Sequence, residues 1–255
     1  MKIPADWQAD ENLLQQRIVL VTGAASGIGA AIARRAAAAG ATLVLLDKSV
    51  PGLEQTYDAI ESAGGPQPAI YPMDLEGASE KDYLDLAETL QREFGRLDAL
   101  VHNAAMLGAL IPLAHYDAEL WLRIMQVNLN APFLLTRCCL PVLMQAEEAS
   151  VVFLSDTVAR QGTAYWGAYG VSKAGLENLS QILAEETETN TRLRVNCLDP
   201  GPVATHMRSI AYPGEVPDRA RSPEAVAEAL LYLLGPESRG VSGQRFELNS
   251  DPVIV

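Results

Sequence analysis

Short runs of β-branched and aliphatic residues alternate along this chain with longer stretches of helical periodicity, and that alternation leaves few folds open. Ile18 to Thr22, Thr42 to Leu46, Ala69 to Tyr71, Ala99 to His102, Val151 to Ser155, Arg194 to Leu198 and Gln244 to Leu248 read as strands. Between them, Gly27 to Ala39, Gly52 to Ala63, Ala78 to Phe94, Asp117 to Gln145, Ala168 to Glu188 and Ser222 to Leu234 read as helices. Gly40 and Gly64 or Gly65 supply stop signals, and Ser222-Pro223 supplies a start. The strand runs are apolar nearly throughout, as a sheet covered on both faces requires. Strand, helix, strand repeated in this way predicts a doubly wound α/β domain, a seven-stranded, mostly parallel sheet with right-handed crossovers and helices on both faces. Pro132 and Pro141 fall inside the fourth helical stretch and predict that it bends or divides there.

With 255 residues, 49% of them hydrophobic, the chain can bury a substantial core, and no linker or repeat divides it. Residues 1–255 therefore read as one domain, with 1–16 as an N-terminal extension. A net charge of -13 argues against nucleic acid or an anionic membrane as partner. Apolar stretches such as Ala36 to Leu46 end well short of a bilayer span, and Asp6, Asp10 and Glu11 replace the cationic, apolar pattern of a leader. A soluble, cytoplasmic protein is expected. Cys138, Cys139 and Cys197 lack paired or CxxC spacing, and His102, His115 and His206 are scattered, so neither a disulfide framework nor a metal is predicted.

Thr22-Gly23-Ala24-Ala25-Ser26-Gly27-Ile28-Gly29 sits where the first strand ends and the first helix begins. Glycines there let the backbone turn sharply and approach a pyrophosphate, while free N–H groups and the helix dipole attract its oxygens. A glycine triplet alone is also compatible with a flexible loop; its place after an apolar strand and before an alanine-rich helix is what points to a dinucleotide. Asp47 ends the second strand about twenty residues beyond the glycines, where a carboxylate can accept from both hydroxyls of an adenosine ribose. That favours NAD over NADP, although Asp47 is also compatible with a cap of the next helix, and Lys48 is adjacent.

Together with several motifs further along the chain, T-G-x-x-x-G-x-G resembles the short-chain dehydrogenase/reductase family across almost the whole chain, which implies a Rossmann-type fold and a nicotinamide cofactor. The resemblance implies cofactor contacts from Gly23, Ser26, Gly27, Ile28 and Gly29. In Met73-Asp74-Leu75, Asp74 and Leu75 would receive the adenine. Asn103, in His102-Asn103-Ala104-Ala105, would lie beside the adenosine ribose, with Ala105 where the family usually has Gly. Judged alone, Asp74 fits a turn or cap and Asn103 a strand-end hydrogen-bonder. Pro200, Gly201, Val203 and Thr205 match the segment that would anchor the nicotinamide carboxamide and cofactor phosphate; Asp199 stands where the family more often has Asn.

Tyr169 and Lys173 lie one helical turn apart, so both side chains project from one face. A nearby ammonium stabilises phenolate and would bring the tyrosine toward a useful range for acid/base work. Alone, such a pair is usually a solvated helix face; downstream of a dinucleotide site it matches the family's catalytic pair, with Lys173 also holding the cofactor ribose. Asn128 matches the family's helix asparagine, which would hold a water linking Lys173 to solvent; Asn130 is nearby and easily confused with it. Thirteen residues before Tyr169 the family places a serine that donates to the reacting oxygen, and this chain has Asp156. An ionised carboxylate accepts but does not donate, and its charge disfavours alkoxide or tyrosinate close by. Ser155 and Thr157 flank it but would need a local bulge or turn to reach the site. A carboxyl kept protonated by burial would itself donate.

The stretch from Val158 to Tyr169 most resembles a subgroup of uncharacterised bacterial short-chain oxidoreductases. Met207 to Arg221, with Pro213, Gly214 and Pro217, reads as a substrate lid or as an ordinary surface loop. Two functional readings are open: an oxidoreductase moving hydride between NAD(H) and a small or medium carbonyl/alcohol pair, or a dinucleotide-binding protein of little activity because of Asp156. A homodimer or homotetramer is expected, since the stretches Leu120 to Leu143 and Leu176 to Leu183 are apolar on more faces than one sheet covers.

Overall fold

The computed structural model describes residues 1–4, 7–189, 191–216 and 220–248. Seven strands form one sheet in the order β3-β2-β1-β4-β5-β6-β7. They are β1 (Ile18–Thr22), β2 (Thr42–Asp47), β3 (Ala69–Pro72), β4 (Ala99–His102), β5 (Ser150–Leu154), β6 (Arg194–Asp199) and β7 (Arg245–Glu247). Every pairing is parallel, so the expected mostly parallel sheet is parallel throughout. The helices are α1 (Gly27–Ala38), α2 (Val50–Ser62), α3 (Glu80–Phe94), α4 (Ala118–Met125), α5 (Ala131–Leu143), α6 (Gly167–Glu188), α7 (His206–Ala211) and α8 (Pro223–Leu234).

The apolar strands are apolar because both sheet faces are covered. Val19, Val21, Leu43, Leu45 and Val152 pack with α1, α2 and α8 on one face. Their neighbours Leu20, Val44, Leu100, Val151 and Phe153 pack with α3, α5 and α6 on the other. Successive residues of a strand point to opposite faces, so each strand feeds two cores. A fully buried aliphatic or aromatic side chain in such a core contributes about 1.5–3 kcal/mol. The N-terminal extension is integrated into this packing: Leu14 is fully buried, Trp7 meets Tyr232 of α8 edge-on, and the Ala9 N–H donates to Glu228. Asp6 lies outside the described residues.

The fourth helical stretch divides just before Pro132, and not at Pro141. Between α4 and α5 lies a π-helical turn, Gln126–Asn130, and Pro132 sits in the first turn of α5, where its missing N–H costs nothing. Pro141 is carried inside α5. Strand β1 lies between β2 and β4, so the crossovers leave β1 in opposite directions and open a crevice at the carboxyl ends of the strands.

Candidate active site

Each glycine of the first loop has its own steric reason. Gly23 has φ +70, and a Cβ there would meet Asn103 Nδ2 at 2.6 Å. Gly27 has φ +53 at the start of α1, and a Cβ there would meet Thr205 Cγ2 at 3.6 Å. A Cβ on Gly29 would overlap the Gly23 carbonyl, so this residue lets α1 pack tightly on the loop. Ser26 precedes α1 in extended conformation and makes no capping bond. Gly23, Ser26, Gly27 and Ile28 line a cleft of about 600 Å³, with the N-terminus of α1 presented to it. A pyrophosphate fits this cradle of bare backbone and unpaired helix N–H groups.

The residues expected around the adenosine border the same cleft: Asp47, Asp74, Leu75 and Asn103. Asp47 also braces the loop, its Oδ2 accepting from the Ala25 N–H at 3.2 Å and its Oδ1 from the Ser49 N–H at 3.0 Å. Ser49, not Asp47, caps α2. Asp74 accepts from the Glu76 N–H, and the Asn103 amide donates to the carbonyls of Thr22 and Gly23, tying β4 to the glycine loop. The turn and strand-end roles thus coexist with exposure to the cleft.

At the other end of the cleft, the buried Tyr169 hydroxyl donates to Asp156 Oδ2 at 3.0 Å. Burial, with the Asp156 charge next to it, raises the Tyr169 hydroxyl well above its ordinary value. The pair with Lys173 alone predicts the opposite direction. Lys173 lies 5.7 Å from the Tyr169 ring centre, and its Nζ donates to the Leu154 carbonyl at 2.6 Å. Burial lowers the Lys173 ammonium, opposed by the Asp156 charge. Asp156 also accepts from the Val158 N–H, which fixes its carboxylate against the first turn after β5.

Neither flanking hydroxyl replaces the missing serine. Ser155 donates to Glu177 at 2.5 Å and Thr157 to Asp199 at 3.0 Å. Both acceptors belong to a buried ionic cluster beneath the site, in which Arg245 pairs with Glu177 at 2.6 Å, Asp199 at 2.5 Å and the more exposed Glu247. Arg245 explains how a carboxylate is carried at Asp199, where the family favours a neutral amide. Sequence reading missed this cluster; its signals were a glutamate two turns after Tyr169 on the same helix face and an arginine at the start of an apolar strand.

Asn128 is buried on the π-helical turn, and its side chain is largely committed to protein: Oδ1 accepts from Met106 N–H at 2.7 Å, and Nδ2 donates to the Met106 carbonyl and to Ser172. Asn130 instead bonds Gln126 on the exposed side. Pro200, Gly201, Val203 and Thr205 line the cleft floor, and Thr205 Oγ1 caps α7, a helix absent from the sequence reading, by accepting from the Arg208 N–H. Trp166 and Tyr212, also unforeseen, wall the cleft with ring centres 6.0 Å apart. The positive φ of Tyr165, 76°, sets the entry to Trp166. Among the described residues, no group of three or more His, Cys, Asp or Glu is placed to hold a metal ion.

Residues 17–215 match the model of the short chain dehydrogenases. The chain belongs to that family. It is 39% identical to the uncharacterized oxidoreductase YciK of Escherichia coli K12, over 94% of this chain and 95% of the relative. A Pseudomonas syringae structure described as a short chain dehydrogenase superposes with a TM-score of 0.93 at 48% identity, covering 95% of this chain and 98% of its own. A Shigella flexneri short chain dehydrogenase in complex with NADP gives 0.91 at 39% identity, covering 93% and 99%. As in the family at large, this short chain dehydrogenase is an oxidoreductase, with its glycine loop and Tyr169 facing one cleft.

Proposed function

We propose that this protein moves hydride between NAD(H) and a small or medium carbonyl/alcohol pair, with Tyr169 as general acid/base. The observation that carries the reading is that a single cleft runs from the bare N-terminus of α1 to the Tyr169 hydroxyl. Bound there, the nicotinamide would supply or accept the hydride. Gly23, Ser26, Gly27, Ile28 and Gly29 would seat the pyrophosphate, Asp47, Asp74, Leu75 and Asn103 the adenosine, and Pro200, Gly201, Val203 and Thr205 the nicotinamide half. Lys173 would turn toward the ribose and Asn128 would hold the turn that borders it. Residues 207–221 would act as lid; 217–219 of that segment, Pro217 included, lie outside the described residues.

The NAD preference rests on Asp47, which lines the cleft and whose carboxylate would accept from the ribose 2'-hydroxyl. The Shigella relative's complex with NADP weighs on the other side, as does Lys48 in the same cleft. A homodimer or homotetramer is supported by exposed apolar side chains on α5 and α6, Phe133, Val171 and Ile182. No helix of the described residues is long and apolar enough to cross a membrane.

A second reading, a dinucleotide-binding protein with little turnover, is favoured by the hydrogen bond that ties the Tyr169 proton to Asp156. Oxidation of NADH and NADPH on a panel of ketones and aldehydes, and reduction of NAD and NADP on alcohols, separates the two. The enzyme reading expects turnover that falls about a hundredfold or more in Tyr169→Phe, the usual range for a lost general acid. Nucleotide binding without turnover would establish the second.

A further inference from the structure

We propose that the substrate end of this cleft is built for a protonated nitrogen, so that its preferred electrophile is an iminium carbon, the nitrogen analogue of a ketone. The inference rests on the hydride-transfer reading above and sharpens its substrate class. It starts from a mismatch of charge. Reducing a ketone turns a neutral oxygen into an alkoxide, which needs donors around it. Here the group beside the Tyr169 hydroxyl is the Asp156 carboxylate, an acceptor only, and the hydroxyls on either side of it are turned to Glu177 and Asp199. Of these groups Tyr169 alone can donate, and its proton is already engaged.

An iminium inverts each of these terms. It arrives with its own proton on nitrogen, and an N–H⁺ donating to a carboxylate is a charge-assisted bond, stronger than a neutral one. When hydride from the reduced nicotinamide forms the new C–H bond, the C=N π pair moves onto nitrogen. The cofactor is oxidised by two electrons, and a neutral amine results. No proton has to leave Tyr169 in that step, and no anion appears beside Asp156.

The rest of the wall agrees. Trp166 flanks the same end of the cleft, and aromatic faces attract cations; the neighbouring Tyr212 ring already holds the Arg208 guanidinium 4.4 Å from its centre. Arg245 is shared by Asp199, Glu177 and Glu247, with Arg160 3.5 Å from Glu177, so this cluster adds no net positive charge beside Asp156, and Arg208 is paired with Glu215. Lys173, the cation closest to the site, is directed at the Leu154 carbonyl, and its burial disfavours the ammonium form, so it offsets Asp156 only in part. A carboxylate beside the Trp166 ring is the recognition chemistry of an ammonium or iminium group.

Two measurements on the full-length protein test this. The first titrates pyrrolidine, a cation at neutral pH, and cyclopentanol, its uncharged isostere, onto protein saturated with NADH, or with NADPH if that binds tighter. Pyrrolidine is expected to bind at least about tenfold more tightly, a difference of roughly 1.4 kcal/mol, and the preference should vanish in Asp156→Asn and Asp156→Ser. Unchanged nucleotide affinity and melting temperature in both variants show that they fold. The second compares a pyrroline with cyclopentanone as substrates: wild type should favour the imine, and Asp156→Ser, which restores a hydroxyl donor, should reverse the order. Ketone reduction by wild type without any cation selectivity overturns the inference and leaves the hydride-transfer reading intact. Cation selectivity with no nucleotide oxidation on either substrate, by wild type or by Asp156→Ser, overturns the hydride-transfer reading and the iminium electrophile with it.

Discussion

Asp47 sets the cofactor if the charge at the end of β2 is what discriminates. A 2'-phosphate placed against this carboxylate would meet like charge worth up to about 4 kcal/mol at a separation near 4 Å and an effective dielectric of about 20. Asp47 is half-buried and Lys48 is adjacent, so screening and the lysine remove much of that figure. A remainder of only about 1.4 kcal/mol still makes NAD roughly tenfold tighter than NADP. The carboxylate has a second task, accepting from the Ala25 and Ser49 N–H groups, and losing those bonds costs about 0.5–1.5 kcal/mol each. That loss loosens the loop for both nucleotides alike, so it cancels in the ratio of affinities. Asp47→Asn, which keeps one oxygen acceptor and removes the charge, is therefore the cleaner substitution, and Asp47→Ala the harsher one. Titrating NADH and NADPH by nucleotide fluorescence should show the ratio moving at least about tenfold toward NADPH in both variants, with overall affinity lower in Asp47→Ala. Equal or tighter NADPH binding by wild type, or a ratio unmoved by Asp47→Asn, would refute the assignment.

Gly29→Ala should abolish nucleotide binding and destabilise the fold by about 1–3 kcal/mol, because the new Cβ overlaps the Gly23 carbonyl; titration and thermal melts check both. His102 is buried, stacked on Phe153 and bonded to Thr136, and burial lowers its imidazole to about 3. Below the unfolded value near 6.5 only the unfolded chain takes up that proton, so stability should fall by about 1.4 kcal/mol per unit as pH drops from there toward 3, and chemical denaturation of His102→Gln should lack that slope. Val171 and Ile182 are both about half exposed and, eleven residues apart, share one face of α6. Sedimentation should therefore give a dimer or tetramer that Val171→Glu weakens, and a monomer for wild type at micromolar concentration would refute it.

What could be read from the chain beforehand was whatever is local. The glycine loop, the apolar strands and the Tyr/Lys spacing are each written within a few consecutive residues, and the strand and helix boundaries fall within a few residues of expectation. Asp156 stood out because its position relative to Tyr169 is fixed along the chain. The hidden features depend on pairs far apart in sequence. Arg245 reaches Glu177 and Asp199 across a β6-β7 pairing that no local pattern records. The π-helical turn at Gln126–Asn130 has the composition of an ordinary helix, so Pro132 beside it marked a break without showing its form. The rise of the Tyr169 hydroxyl, likewise, came from burial and a facing carboxylate, neither visible in a helical wheel.

The strand order has a consequence for how the protein reaches its native state. Since every neighbour in the sheet is parallel, no two adjacent strands are joined by a hairpin, and the central β1-β4 pair closes over all the chain between Thr22 and Ala99. Such non-local pairing is slow to form. The cleft draws on residues from Gly23 to Tyr212, so it exists only when almost the entire sheet is in register. A bound nucleotide is thus a report on complete folding, and it acts as a clamp on it: at a hundred times its dissociation constant it adds about 2.7 kcal/mol to global stability. A fragment that stops short of β6 lacks the part of this grip that runs from Pro200 to Thr205, and a cell starved of nucleotide would hold the same chain in a more easily unfolded form.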